Sequence, residues 1–212
     1  MSTPLLERLT AQFTALIGPD AFAQAAVTAA PVATPSPAPG SSANPPAAAT
    51  PVAVTPTPAT AAAGSIATKP VAAAPAPAAP VPPLQATSHA LKGYDLDARV
   101  APGQVVEAAR ILDRAGFGLD AITGVDWLAQ NEIEVVYDYF HPTEPARVVV
   151  RTRVPRAEPE LPTIVDVFAG ANWHEREAHD FFGIHFVGHP NLKPFLLPED
   201  ADFHPLRKDY AP

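Results

Sequence analysis

The residues able to do chemistry gather near the C-terminus. Five of the seven histidines lie between His174 and His204, and Glu175, Glu177 and Asp180 sit among them. The run His174-Glu175-Arg176-Glu177-Ala178-His179 invites comparison with a zinc site of the HExxH kind. That chemistry needs its histidines four apart, on one helix face. Here they are five apart, which sets them about 140° around a helix of 3.6 residues per turn. A metal-dependent hydrolase built on these histidines is therefore the weaker reading. The carboxylates suggest a general acid and base. Such pairs work across a substrate cleft, whereas these crowd one short segment beside Arg176. Capping and ion pairing account for them without a substrate. No phosphate-cradling glycine loop, nucleophile elbow or dinucleotide fingerprint occurs. The expected catalytic, cofactor-binding and metal-ligating sets of this chain are empty.

The same block carries a second message. Trp173, Phe181 and Phe182 interleave with charges of both signs, then come Gly188-His189-Pro190-Asn191-Leu192 and His204-Pro205-Leu206-Arg207-Lys208-Asp209-Tyr210. This is too charged for a core and too aromatic for a solvated tail, a mixture typical of surfaces that pack on another macromolecule. Pro194 and Pro198 punctuate the apolar run Leu192–Pro198 and exclude a regular helix or a central strand there. An extended tail lying along a groove of another subunit fits that pattern.

These residues need a scaffold to position them. Asn172 is a good N-cap and Glu175 falls at the third helical position, so the spacing predicts a capping box. Arg176 and Asp180 are four apart and can pair on that helix. Gly183 supplies its left-handed C-terminus, and Ile184–Val187 reads as a short strand. Upstream, Pro102 and Gly103 open a helix whose Val105, Val106, Ala109 and Leu112 form an apolar stripe. Strands are predicted over Leu119–Trp127, Ile133–Tyr139 and Ala146–Val154, joined by turn-rich connectors and hence antiparallel. Pro155–Pro162 reads as irregular, and Thr163 as the cap of a short helix. The fold class is α+β: a small, mostly antiparallel sheet flanked by helices, with an extended C-terminal tail.

An amphipathic helix over residues 3–16, with Leu5, Leu6, Leu9, Phe13 and Leu16 on one face, precedes this domain. It needs a surface to dock on. Between them the chain changes character: the only charged side chain between Asp20 and Lys92 is Lys69, and many of the 28 prolines fall there. The expected organisation is an N-terminal helix over 1–26, a disordered Ala/Pro-rich linker over 27–88, and the folded domain with its tail over 89–212. A net charge of −8 argues against a nucleic-acid partner. The absence of cysteine removes disulfides and thiolate ligands for iron–sulfur clusters. No long apolar run or basic-then-apolar leader is present, so membrane association is expected through partner subunits.

At Glu175-Arg176-Glu177, Asp180-Phe181-Phe182, His189 and Lys193 the chain resembles the 30-kDa subunit family of respiratory complex I, the bacterial NADH:quinone oxidoreductase. Ala171-Asn172-Trp173, Val125-Asp126-Trp127, Glu134-Val135-Val136-Tyr137 and the closing His204–Tyr210 block extend the resemblance over about residues 90–212. Phe195 stands where the family prefers a smaller aliphatic, Pro194 where a second basic residue is common, and the long Ala/Pro insertion is unusual. The resemblance implies a non-redox structural subunit of the peripheral arm, scaffolding the quinone-reducing module. It implies a 49-kDa-type subunit and neighbouring iron–sulfur subunits as partners, on the cytoplasmic face of the cell (inner) membrane. NADH, FMN, iron–sulfur clusters and quinone would then be handled by other subunits. Glu175, Arg176, Glu177 and Asp180 would order a helix bracing the tail. His189, Pro190, His204, Pro205, Leu206, Arg207, Lys208, Asp209 and Tyr210 would meet the partner. The alternative is the equivalent component of an energy-converting hydrogenase or a ferredoxin-dependent dehydrogenase.

Overall fold

Three long strands with alternating side chains build most of the sheet. The computed structural model describes residues 3–18 and 82–211. Strands β3 (Gly118–Trp127), β4 (Glu132–Phe140) and β5 (Arg147–Pro155) pair antiparallel in sequence order, as their turn-rich connectors require. Asn131 closes the first connection in the left-handed region, at φ 56°, a conformation asparagine tolerates. Two strands without a sequence signal complete the sheet. β2 (Leu96–Arg99) runs parallel to β5, and β1 (Leu84–Ala86) lies antiparallel along β2, giving the order β1-β2-β5-β4-β3. Both are too short to show a clear period.

The expected domain start at residue 89 therefore needs correcting. Leu84–Ala86 are already in the sheet, and the Thr87 hydroxyl donates to the Tyr94 carbonyl at 2.6 Å. The remainder of the predicted linker, up to residue 81, lies outside the described residues.

One face of the sheet carries the core. Leu96, Ala98, Val148, Val150, Val154, Ile133, Val135, Tyr137, Tyr139 and Ile122 are buried there in a single cluster with the helices. Helix α1 (Thr3–Ile17) belongs to that cluster through Leu5, Leu9, Phe13 and Ile17, a stripe at i, i+4 spacing. It packs on β2 and on α3 (Val105–Arg114), which buries Val105, Ala108, Ala109, Ile111 and Leu112. The Gln104 side chain donates to the Leu16 carbonyl at 2.8 Å, satisfying an end-of-helix acceptor. The N-terminal helix thus docks on its own domain. A one-turn helix, α2 (His89–Lys92), links β1 to β2.

Helix α4 (Ala171–Phe182) lies across β3. The approach is close because β3 has no side chain at Gly124, where a Cβ would stand 2.4 Å from the Phe182 ring. Two short parallel strands, β6 (Glu160–Pro162) and β7 (His185–Val187), form a second small sheet. β6 occupies a stretch whose sequence reads as irregular. The short helix expected after Thr163 is instead a set of turns. The Thr163 hydroxyl accepts from the Val165 N–H at 3.2 Å, which makes a local hydroxyl turn in place of a helix cap.

Phe13 is wholly buried, so Phe13→Ala should cost about 3 kcal/mol. Urea unfolding read together with hydrogen exchange on α1 checks this; unchanged α1 protection would contradict the docking.

Candidate functional site: a helix that holds the tail

α4 begins differently from the capping-box expectation. The helix starts at Ala171, and the residue before it is Gly170, with no side-chain cap. Asn172 is already helical. Glu175 points inward, fully buried, and accepts from the Ile164 N–H at 2.8 Å and from the Thr163 hydroxyl. Tertiary donors outcompete the local cap. Burial with no cation at hand pushes the Glu175 carboxyl up to about 7, against the opposing pull of those two donors.

The expected Arg176–Asp180 ion pair is also absent, because the tail claims both side chains. The Arg176 guanidinium donates to the carbonyls of Lys193 and Pro194, each at 2.9 Å. One oxygen of Asp180, Oδ2, accepts from the backbone N–H groups of Phe195, Leu196 and Leu197 at 2.8, 2.6 and 3.2 Å. Two side chains one helical turn apart thus replace the neighbouring strand that Pro194 and Pro198 deny this segment. Arg176 also lies over the rings of Trp173 and Phe195, at 5.3 and 5.0 Å from their centroids. Glu177, the third charged member of the motif, is exposed.

The end of α4 receives the next part of the tail. His204 Nδ1 donates to the Asp180 carbonyl at 2.9 Å, the Arg207 guanidinium to the Phe182 carbonyl at 2.8 Å, and the Leu206 N–H to the Phe181 carbonyl at 3.2 Å. Gly183 lies at φ 72°, and a Cβ on it would stand 2.4 Å from the His204 ring. Helix termination and tail seating share that one glycine. His189 donates through Nε2 to the Asn172 carbonyl at 3.2 Å and accepts at Nδ1 from the Asn191 N–H at 3.1 Å. Burial lowers its pKa, in keeping with a neutral ring. Pro190 is exposed beside it, and Pro205 is half-buried.

The last anchor has no local signal that tells its role. Asp126, buried at the end of β3, takes two hydrogen bonds from Arg156 at 2.8 and 3.2 Å and one from the Lys208 N–H at 2.8 Å. Arg156 also binds Asp209. Burial alone would raise the Asp126 pKa; Arg156 and the Lys208 N–H outweigh it and hold it below the usual value. Arg156 lies just beyond β5, where the sequence offers no periodicity; its spatial partner is 30 residues away.

What the tail exposes is apolar. Trp173, Phe195, Leu196, Phe203, Leu206 and Tyr210 are exposed, with Trp173 against Phe195 at 5.1 Å and Phe203 stacked on Tyr210 at 5.5 Å. Among the described residues, no group of three or more His, Asp or Glu side chains is arranged to hold a metal ion. The His179 Nδ1 is committed to the Ile184 carbonyl at 2.9 Å.

A small α+β domain in which one helix binds an extended, aromatic-bearing tail is the architecture of a component that fits against others. The family described as respiratory-chain NADH dehydrogenase, 30 Kd subunit, matches residues 98–212, and the chain belongs to that family. The corresponding component of the NADH-quinone oxidoreductase of Roseiflexus sp. (strain RS-1) is 41% identical over 121 residues, which span 54% of this chain and 69% of the relative. A component of the F(420)H(2) dehydrogenase of Methanosarcina mazei is 42% identical over 93 residues, 43% of this chain and 59% of the relative. Among solved structures, a chain of the membrane-bound sulfane sulfur reductase, an archaeal respiratory membrane complex, aligns with a TM-score of 0.51 and 31% identity. That alignment covers 55% of this chain and 71% of the other. Among the described residues no helix is long and apolar enough to cross a membrane.

Asp180→Ala removes the acceptor of three N–H groups. Exchange of the Phe195–Leu197 amides should quicken roughly a hundredfold, the equivalent of about 2–3 kcal/mol. Glu175 gives a pH test with the opposite sign from a paired carboxylate. Its carboxyl titrates near 7 in the folded chain against an ordinary 4.5. Between those values the folded chain binds a proton that the unfolded chain has released, so stability falls as pH rises through the window and is flat above it. The fall should reach at most roughly 3 kcal/mol. Glu175→Gln should flatten the slope measured by urea unfolding from pH 5 to 8. Asp126 acts elsewhere: its contribution is present above the ordinary carboxylate pKa of 3.8 and is lost below it.

Proposed function

We propose that this chain is a non-redox structural subunit of a proton-translocating NADH:quinone oxidoreductase. It sits in the peripheral arm on the cytoplasmic side of the inner membrane and scaffolds the quinone-reducing module. The observation that carries this reading is the tail. Its backbone is clamped by Arg176 and Asp180, while its aromatic side chains are left outward. Exposed aromatics held in place, with little ordering entropy left to lose, are what a binding surface needs. Family membership supports the same reading.

The partners are a 49-kDa-type subunit and neighbouring iron–sulfur subunits, met through the Trp173–Phe195 pair and the segment from His204 to Tyr210. With no cysteine in the chain, NADH, FMN, iron–sulfur clusters and quinone fall to other subunits, and membrane attachment comes through them. A second reading keeps the same scaffold role in a complex with another electron donor. It is favoured by the likeness to a component of an F(420)H(2) dehydrogenase and to a chain of a sulfane sulfur reductase. Affinity purification of the tagged chain from solubilised membranes separates the two by the nucleotide- and flavin-binding subunits that accompany it.

Arg176→Ala should lower the yield of assembled complex several-fold and leave turnover per assembled complex unchanged, measured by native gel and quinone-reductase assay. Normal assembly with reduced turnover would overturn the scaffold role.

A further inference from the structure

The face of the five-stranded sheet opposite the core carries a charged ladder with one member left over. Arg99 on β2 and Arg151 on β5 are direct cross-strand partners on this face. Like charges so placed repel. Arg151 is compensated: its guanidinium donates to Asp97 at 3.2 and 3.3 Å and lies 3.9 Å from Glu134. Two residues on, Arg153 meets Glu134 at 3.4 Å and Glu132 at 3.0 Å, and lies 4.6 Å over the Trp127 ring. Glu134 is buried and also accepts from the Trp127 indole at 3.2 Å; Asp97 is buried and accepts from the Tyr94 hydroxyl at 3.2 Å. The nearby carboxylates are therefore committed. Arg99 has neither a carboxylate within 4.0 Å nor a side-chain hydrogen bond among the described residues.

Arg99, Arg151 and Arg153 line one groove of about 440 Å³, with Glu134 in its floor and Ala101 and Pro102 on its rim. Three guanidinium groups face a single carboxylate already engaged by two of them. Arg151 and Arg153 are fixed by their partners and by aromatic rings, so an incoming anion meets donors that need little ordering. An oxyanion bridging Arg99 and Arg151 would remove the cross-strand repulsion and satisfy the planar fork of Arg99, the geometry in which arginine binds carboxylate and phosphate.

We propose that this groove is an oxyanion-binding site, with Arg99 as the cation that the ligand completes. Its ligand is a phosphate-type ion or the carboxylate of an acidic side chain. The site is separate from the tail and does not depend on the scaffold reading.

Calorimetric titration of the full chain at low ionic strength tests this, with inorganic phosphate in one arm and a Glu-rich hexapeptide in the other. Saturable binding is expected in at least one arm, weakened about tenfold by Arg99→Gln. Arg110→Gln, an equal charge change on α3, should leave it intact. The bound anion should raise the Tm of the wild-type chain but not that of the Arg99→Gln chain, which itself melts no lower than wild type in the absence of the anion. Tighter phosphate binding assigns the groove to a small ion; tighter peptide binding assigns it to acidic side chains of a neighbouring chain. Absence of saturable binding in both arms, or equal weakening by Arg99→Gln and Arg110→Gln, would overturn the site.

Discussion

A single carboxylate oxygen, Oδ2 of Asp180, holds the tail in register by accepting three consecutive backbone N–H groups. The tail cannot provide for itself. Pro194, Pro198 and Pro205 deny it a helix or strand ladder, yet its backbone polar groups still need partners wherever they leave water. α4 supplies them through Asp180 and Arg176, and then through its own unsatisfied C-terminal carbonyls at Asp180, Phe181 and Phe182. Helix ends leave such carbonyls free in any protein; here they are the docking points for His204, Leu206 and Arg207.

α4 must in turn be held, and Glu175 does this from its opposite side. The buried carboxylate ties α4 to Thr163 and Ile164, next to the point where the Thr163 N–H bonds the Val187 carbonyl of the second sheet. A buried acid without a cation is costly when ionised, and its raised pKa records that cost. The motif Glu175-Arg176-Glu177-x-x-Asp180 thus splits by direction. Glu175 looks into the fold, Arg176 and Asp180 look along the tail, and Glu177 faces solvent.

Much of this is legible in the sequence, though unevenly. Strands β3, β4 and β5, helices α1 and α3, and the end of α4 at Gly183 all carry strong local signals: alternation, an i, i+4 stripe, a left-handed glycine. The misreadings share one cause. Asn172 with Glu175, and Arg176 with Asp180, satisfy local rules for isolated helices, but each local bond is worth only a few tenths of a kcal/mol to about one. Desolvated tertiary partners offer more, so Glu175 turns to Thr163 and Arg176 to the tail carbonyls. β1, β2 and β6 are three or four residues long, shorter than any periodicity test can resolve. Arg156 is invisible to such tests because its meaning lies wholly in its distance from Asp126 and Asp209.

The two ends of the tail explain why its middle can be apolar and exposed. At one end Arg176 and Asp180 fix residues 193–197; at the other Asp126 and Arg156 fix Lys208 and Asp209 to the sheet. Between the anchors, Phe203 and Leu206 remain outward. An unanchored chain would bury such side chains against its own domain or lose ordering entropy each time it met a partner. Anchoring both ends removes that choice. Gly124 and Gly183 make the arrangement possible, because a Cβ at either would stand 2.4 Å from Phe182 or His204. The sheet, the helix and the tail are therefore stacked at separations that only glycine permits, and the charge-assisted hydrogen bonds act across them.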